Sequence, residues 1–248
     1  MAQIIADTIE KEAYPNIKTS EIFKRIKELL RRQTPKAALI FSLKEGMRKL
    51  GPTGFPFEKY IAEIFKTLGY SVKTNQFLPG RCINSYEIDF VAEKDKTVYV
   101  GECKYRHLFG DRVRSSDALE NYARFQDILS GHLFKSKEYK GCSIKTIMVT
   151  NTKFTSQTID YAKCAGFNLL GWNYPKNKGL EYIIDKERLY PITILPSFKG
   201  YLKESFVQKG KMLAWDLINT PINKLAKTLG VKEKEIDSLV REAKVLLE

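Results

Sequence analysis

The sequence predicts an α/β fold in which a mixed sheet lies between helices. Three observations lead there. Two stretches rich in β-branched, aromatic and small residues, Tyr86–Ala92 and Thr97–Lys104, flank the polar turn Glu93–Lys96 and predict a hairpin. A β-branched run at Ile144–Thr150 is followed by a helical segment, Ser156–Ala165, and then by another short strand, Phe167–Gly171. Helical periodicity precedes the hairpin and separates it from the later strands. The order α, β, β, β, α, β, α, β buries a sheet on both faces.

Taken in order, Ser20–Leu30 places Ile22, Ile26, Leu29 and Leu30 on one stripe, with Ser20 as N-cap. Pro35–Leu50 carries Leu39, Leu43, Met47 and Leu50 at the same period and stops at Gly51-Pro52. A linker over Gly51–Gly54 leads into FPFEKYIAEIFKTLGY, a helix with Phe57, Ile61, Ile64, Phe65 and Leu68 facing a core and Gly69 as its terminator. A strand from Tyr70 to about Leu78 comes next, then the hairpin, then a helix over Arg114–Leu129 with Leu119, Tyr122, Phe125 and Leu129 at helical spacing. Beyond Pro196 the chain reads as one helix over Tyr201–Ile218 and a helical pair split at Leu229-Gly230-Val231. The expected domains are a helical segment at 1–52, an α/β core at 53–196 and a C-terminal helical segment at 197–248.

The 248 residues carry a formal charge of +13, with the cations spread along the chain, so the surface attracts polyanions, nucleic acid before anionic membrane. No run of about 18 apolar residues occurs, and the first residues lack the order of a secretory signal, so a cytoplasmic protein without a membrane span is expected. Cys82, Cys103, Cys142 and Cys164 form no CxxC pair, and the histidines are His107 and His132. Free thiols are expected, with neither a structural zinc nor a disulfide framework.

Along a strand, side chains alternate faces, so Glu102 and Lys104 of the stretch GECK project from one face, roughly 6.5–7 Å apart, while Cys103 turns into the packing. Asp89, in the neighbouring strand, comes level with Glu102. Two carboxylates and a lysine in an otherwise apolar strand environment suit phosphodiester hydrolysis. The carboxylates would anchor Mg²⁺, for which Mn²⁺ can substitute, and the lysine would stand near the nucleophile or the developing charge. The Cys103 carbonyl could add an oxygen ligand. Glu58, on the preceding helix, could orient a metal-bound water or serve a second ion. Glu87 could be an accessory ligand or a surface residue.

FEKYIAEIFKTLGYSV, GRCINSYEIDFVAEKD and VYVGECKYR, in that order and spacing, resemble the Mrr-like branch of the PD-(D/E)xK restriction-endonuclease superfamily. GPTGFPFEKYIAEIF, YARFQDIL, TNTKFTSQTIDYAKCAGFNLLGWNYP and LYPITIL resemble, more narrowly, a prokaryotic subgroup that joins such a nuclease to an ATP-cone. Of the cone only something like its helical second half is expected, without the basic hairpin that cradles nucleotide. The resemblance covers about Thr19–Leu195. It implies a restriction-endonuclease-like core, metal and catalytic roles for Glu58, Asp89, Glu102 and Lys104, and a Mg²⁺-dependent endodeoxyribonuclease acting on double-stranded DNA. A structure-specific nuclease such as a Holliday-junction resolvase, or a catalytically silent DNA-binding module, are the alternatives.

Arg106, Arg112, Arg114, Arg124 and Lys153 are candidate phosphate contacts around the catalytic strand. Lys232 and Lys234 flank a helix, apolar-Gly-apolar, helix pattern that fits either a helix-hairpin-helix on DNA or a packing hairpin. Cleavage of both strands calls for two active sites, so a homodimer is expected.

Overall fold

The computed structural model describes residues 2–51, 55–108 and 110–248. Most of the linker expected over 51–54, and with it the first domain boundary, lies outside the described residues.

The chain begins with helix α1 (Ala2–Glu12), which the apolar pattern of the sequence does not announce, and α2 (Thr19–Gln33). The helix expected over Pro35–Leu50 is two, α3 (Pro35–Phe41) and α4 (Leu43–Arg48). The break falls at Ser42, whose ψ of 1° leaves the helical region and whose Oγ donates to the Ala38 carbonyl at 2.9 Å. Helix α5 (Phe55–Thr67) buries Phe57, Tyr60, Ile61, Ile64 and Phe65. Gly69, at φ 88°, then turns the chain into the sheet, as its position at C′ predicts.

Strands β1 (Ser71–Leu78), β2 (Tyr86–Lys94) and β3 (Thr97–Lys104) form an antiparallel meander. Asp95 and Lys96 close the β2–β3 hairpin with φ of 46° and 59°, the pair of left-handed residues that a two-residue turn between right-twisted strands requires. There follow β4 (Arg112–Val113), α6 (Ser115–Ser130), β5 (Ser143–Thr150), β6 (Lys153–Phe154), α7 (Ser156–Ala165), β7 (Asn168–Leu170) and α8 (Leu180–Lys186). The main sheet has five strands in the order β1-β2-β3-β5-β7, with β5 and β7 parallel to β3, and β4 pairs with β6 in a small parallel ladder. The α/β class read from the sequence, a mixed sheet flanked by helices, is the class observed.

The helix expected over Tyr201–Ile218 is divided into α9 (Lys203–Gln208) and α10 (Ala214–Ile218). Gly210 stops α9 at φ 63°, and Leu213 pairs with Pro191 instead of continuing the helix. Helices α11 (Ile222–Leu229) and α12 (Glu233–Leu247) complete the chain.

Phe90, Ala92, Cys103, Ile147 and Val149 turn one face of the sheet toward α5. That cluster continues through Leu43, Met47 and Leu50 to Leu225, Leu239 and Leu246, so both terminal helical segments share a core with the sheet. The other face carries Ile88, Val91, Val98 and Val100 against Phe125 and Ile128 of α6. Beside them Met148 and Leu169 meet Ala118 and Ala162. Each fully buried large side chain contributes about 1.5–3 kcal/mol by transfer from water, so this layering rather than helix propensity holds the short helices.

The β2–β3 ladder runs from Lys94↔Thr97 to Phe90↔Gly101 and ends there. On the outer side Asn75, opposite Asp89, takes a left-handed φ of 52° and drops out of the β1–β2 pairing. Alternation also breaks at this point, since Ile88 and Phe90, two residues apart, pack on opposite faces of the sheet. Asp89 and Glu102 are the first residues beyond the pairing, where the strands part.

Gly101 sits beneath the Phe90 ring, and a Cβ there would overlap it. Gly101→Ala is therefore expected to cost about 1–3 kcal/mol through overpacking, seen as a lower urea midpoint. Phe90→Leu in the same chain should recover part of the loss, and an unchanged midpoint in the single variant would mean that the ring yields freely.

Candidate active site

Asp89, Glu102, Lys104 and Glu58 come from three elements, β2, β3 and α5, and the fold brings them to one place. Glu58, Glu87, Asp89, Glu102, Glu120 and Arg124 line a cleft of about 690 Å³ at the parted end of the hairpin. Glu102 is 7% exposed, and a carboxylate so far out of water needs partners. Lys104 Nζ lies 2.8 Å from its Oε1, and Arg124 Nη1 donates to its Oε2 at 2.9 Å. The i,i+2 spacing of GECK thus places acid and lysine on the face of α6, while Cys103 is buried in the opposite packing.

Asp89 Oδ2 accepts from the Cys103 backbone N–H at 2.6 Å. That bond favours the ionised carboxyl, but burial and then the Glu102 charge outweigh it and raise the Asp89 pKa from 3.8 to about 7. Glu58 is also raised, by burial and by Glu102 and Glu87. For Lys104, burial works against the charge, yet the Glu102 carboxylate beside it prevails and raises its pKa, so the lysine stays protonated. The cleft holds an excess of negative charge around groups that water stabilises poorly. A hard cation fits this chemistry.

No three His, Cys, Asp or Glu side chains converge as a ready-made metal cage among the described residues. Mg²⁺ requires less, since it keeps several waters and takes one or two carboxylates from a protein. Asp89 and Glu102 are oxygen donors of that kind, and the Cys103 carbonyl remains the candidate for a third.

The candidate phosphate contacts divide. Arg124 reaches into the cleft, where it also meets Glu120 at 2.8 Å. Arg106 is committed to Asp117, with hydrogen bonds of 2.8 and 2.7 Å, and its backbone is held on both sides by the buried Asn151. It therefore acts as a strut for the segment leaving β3. Arg112, Arg114 and Lys153 are exposed nearby. Lys232 and Lys234 lie away from the cleft at the start of α12, and Glu233 and Glu235 in the same first turn put negative charge where a phosphate would sit. The Gly230 and Val231 amides donate to the Ala226 carbonyl, so the α11–α12 hairpin is tied up internally and packs through Ile236, Leu239 and Val240.

Sequence reasoning missed Glu120 and Asn151. The first has a local signal, the i,i+4 spacing to Arg124; the second has none, because Asn151 meets Arg106 only through the β3–β5 pairing.

Residues 190–247 match the AF1548-like, C-terminal family. An uncharacterized protein of Archaeoglobus fulgidus is 34% identical over 187 residues, 75% of this chain and 99% of the relative. The crystal structure of a protein of unknown function, AF1548, matches with a TM-score of 0.65 at 31% identity, over 77% of this chain and 97% of that one. The chain belongs to the AF1548-like family.

The raised proton affinity of Asp89 has a thermodynamic consequence. A carboxyl that binds its proton more tightly folded than unfolded contributes stability at low pH, and that contribution is lost as the pH rises from 3.8 through about 7. Asp89→Asn, measured in EDTA, should thus raise the thermal midpoint above wild type at pH 8 by several degrees, at about 2–4 °C per kcal/mol for a chain of this size. The gain should shrink toward pH 4. A variant-minus-wild-type difference that does not change with pH would mean that this carboxyl is well solvated.

Proposed function

We propose that this protein is a Mg²⁺-dependent endodeoxyribonuclease of the PD-(D/E)xK class, cutting phosphodiester bonds of double-stranded DNA. The observation that carries the reading is the meeting of Asp89 and Glu102 where β2 and β3 part, with Lys104 on Glu102 at 2.8 Å, in a cleft lined by further carboxylates. The resemblance of the surrounding motifs to Mrr-like nucleases supports it, as does the net charge of +13. Among the described residues no helix is long and apolar enough to cross a membrane.

In this reading Asp89 and Glu102 would hold the ion, which when bound would offset phosphate charge and lower the pKa of water. Both Glu102 oxygens are engaged, by Lys104 and Arg124, so service as a ligand requires one of these cations to let go. Arg124 is the better candidate, since Glu120 already shares its guanidinium; its charge then stays in the cleft to face phosphate. Lys104 keeps its proton and stands beside the attacking water and the developing charge on phosphorus. Glu58, with its raised proton affinity, accepts a proton from water or orders a bound one. Cleavage of both strands then calls for two copies of the chain.

The test is incubation with supercoiled plasmid and defined duplexes, methylated and unmodified, in Mg²⁺, Mn²⁺ or EDTA. Wild type should cut in either metal and not in EDTA, while Asp89→Ala and Glu102→Ala should be inactive yet still bind DNA. Full Mg²⁺-dependent cutting by either variant would refute the site. Lys104→Ala should lose about 10²–10³ in rate, the worth of one preorganised charge at a developing oxyanion. Lys104→Arg should not restore it, because the planar guanidinium places its donors differently from a compact ammonium.

A further inference from the structure

We infer that α4 and the β4–β6 ladder together build a cationic strip, Lys44, Arg48, Arg112 and Lys153, that takes the phosphate backbone of duplex DNA running past the Lys104 end of the cleft. The partner follows from the nuclease reading above. The strip itself rests on placement.

Strands β4 and β6 lie just beyond the C-terminal ends of β3 and β5, the end at which Lys104 stands. Arg112 and Lys153 are register partners in that ladder, so two exposed cations sit side by side. Among the described residues no carboxylate pairs with either side chain. Arg106, by contrast, is withdrawn into its pair with Asp117.

Helix α4 adds the other half and is latched in place. Tyr105 Oη donates to the Arg48 carbonyl at 2.6 Å, and Arg48 Nε donates to the His107 carbonyl at 3.1 Å. The segment leaving the catalytic strand therefore grips α4 directly. One turn earlier, Lys44 Nζ lies 5.7 Å from the centre of the Trp172 ring, and the Trp172 backbone N–H donates to the Thr152 carbonyl beside Lys153 at 2.7 Å. Lys44, Lys153 and Arg48 are close enough that the latter two add to burial in depressing the Lys44 proton affinity, with Glu181 opposing them.

Arg112 and Lys153, set side by side by the ladder, repel each other in the isolated fold, and a line of phosphates relieves that repulsion. The N-terminal helical segment thereby becomes part of the substrate-binding surface of the α/β core. Nothing in the sequence pairs residue 44 with residue 153.

The experiment uses the full chain carrying Asp89→Asn, in EDTA, so that cleavage does not enter. A fluorescein-labelled blunt duplex is titrated at several salt concentrations and read by anisotropy. Lys153→Glu and Arg112→Glu change exposed residues and should fold; Lys44→Gln, at a half-buried position, is checked by circular dichroism. Lys137→Glu, in the turn before β5 at the opposite end of the sheet, controls for net charge. Lys153→Glu and Arg112→Glu should each weaken binding about tenfold and flatten the log–log salt slope by about 0.9 for each phosphate that is no longer neutralised, and Lys44→Gln should also flatten it. Weakening no greater than that of Lys137→Glu would overturn the strip, as would absence of duplex binding or a preference for single-stranded RNA. If wild type fails to cut DNA in Mg²⁺ while the variants weaken binding as expected, the nuclease reading falls and the strip stands.

Discussion

Two acidic side chains emerge side by side where a β-hairpin comes unpaired, and most of the molecule answers to that constraint. Continuing the β2–β3 ladder past Phe90↔Gly101 would bring Asp89 and Glu102 directly opposite each other. Like charges opposed in a strand pair are unfavourable, and burial deprives them of the water that would screen them. The fold meets the cost with Lys104 and Arg124 on Glu102 and with a backbone N–H and a raised proton affinity at Asp89. Removing one partner of such a set leaves a buried charge without compensation, which costs more than the pair itself contributes.

The surrounding layers hold these groups still. Helix α5 lies on one face of the sheet and delivers Glu58 from its first turn, while its Phe57, Ile61 and Phe65 stay in the core. Helix α6 covers the other face and delivers Arg124 from the turn next to buried Phe125. The terminal helices look like appendages in the sequence, yet Met47, Leu225, Leu239 and Leu246 enter the same cluster as Phe90 and Val149. That shared core is why α4 can present cations at a fixed distance from β3. Loosely tethered segments would lose orientation and pay more entropy on binding.

Legibility follows sequence separation. The hairpin, α5, α6, α7 and the central strands are readable because their apolar periods are local, and Ser156–Ala165 is observed with the expected ends. The helices over Pro35–Leu50 and Tyr201–Ile218 read as continuous because their periodicity continues across Ser42 and Gly210. A local back-bond from Ser42 to the Ala38 carbonyl and the left-handed Gly210 break them, and the pairing of Leu213 with Pro191 fixes where the chain goes after the second. Helix α1 escapes a sequence reading since just one of its residues, Ile5, is buried, leaving little apolar pattern to detect.

The same division runs through the site. Strand alternation places Glu102 and Lys104 on one face, and hairpin geometry sets Asp89 beside them, so the meeting of these three residues follows from the sequence alone. Which partners Arg106 and Arg124 find across elements follows from no local rule. Arg106 and Arg124 both fall within reach of the motif in sequence, but the docking angle of α6 sends Arg124 to Glu102 and places Asp117 under Arg106. Lys44 and Lys153, far apart along the chain, are neighbours because α4 is gripped by the segment that leaves β3. The backbone period imposes the first kind of relation on any chain that forms the strand, whereas the second exists only once helices have packed and their side chains have found partners.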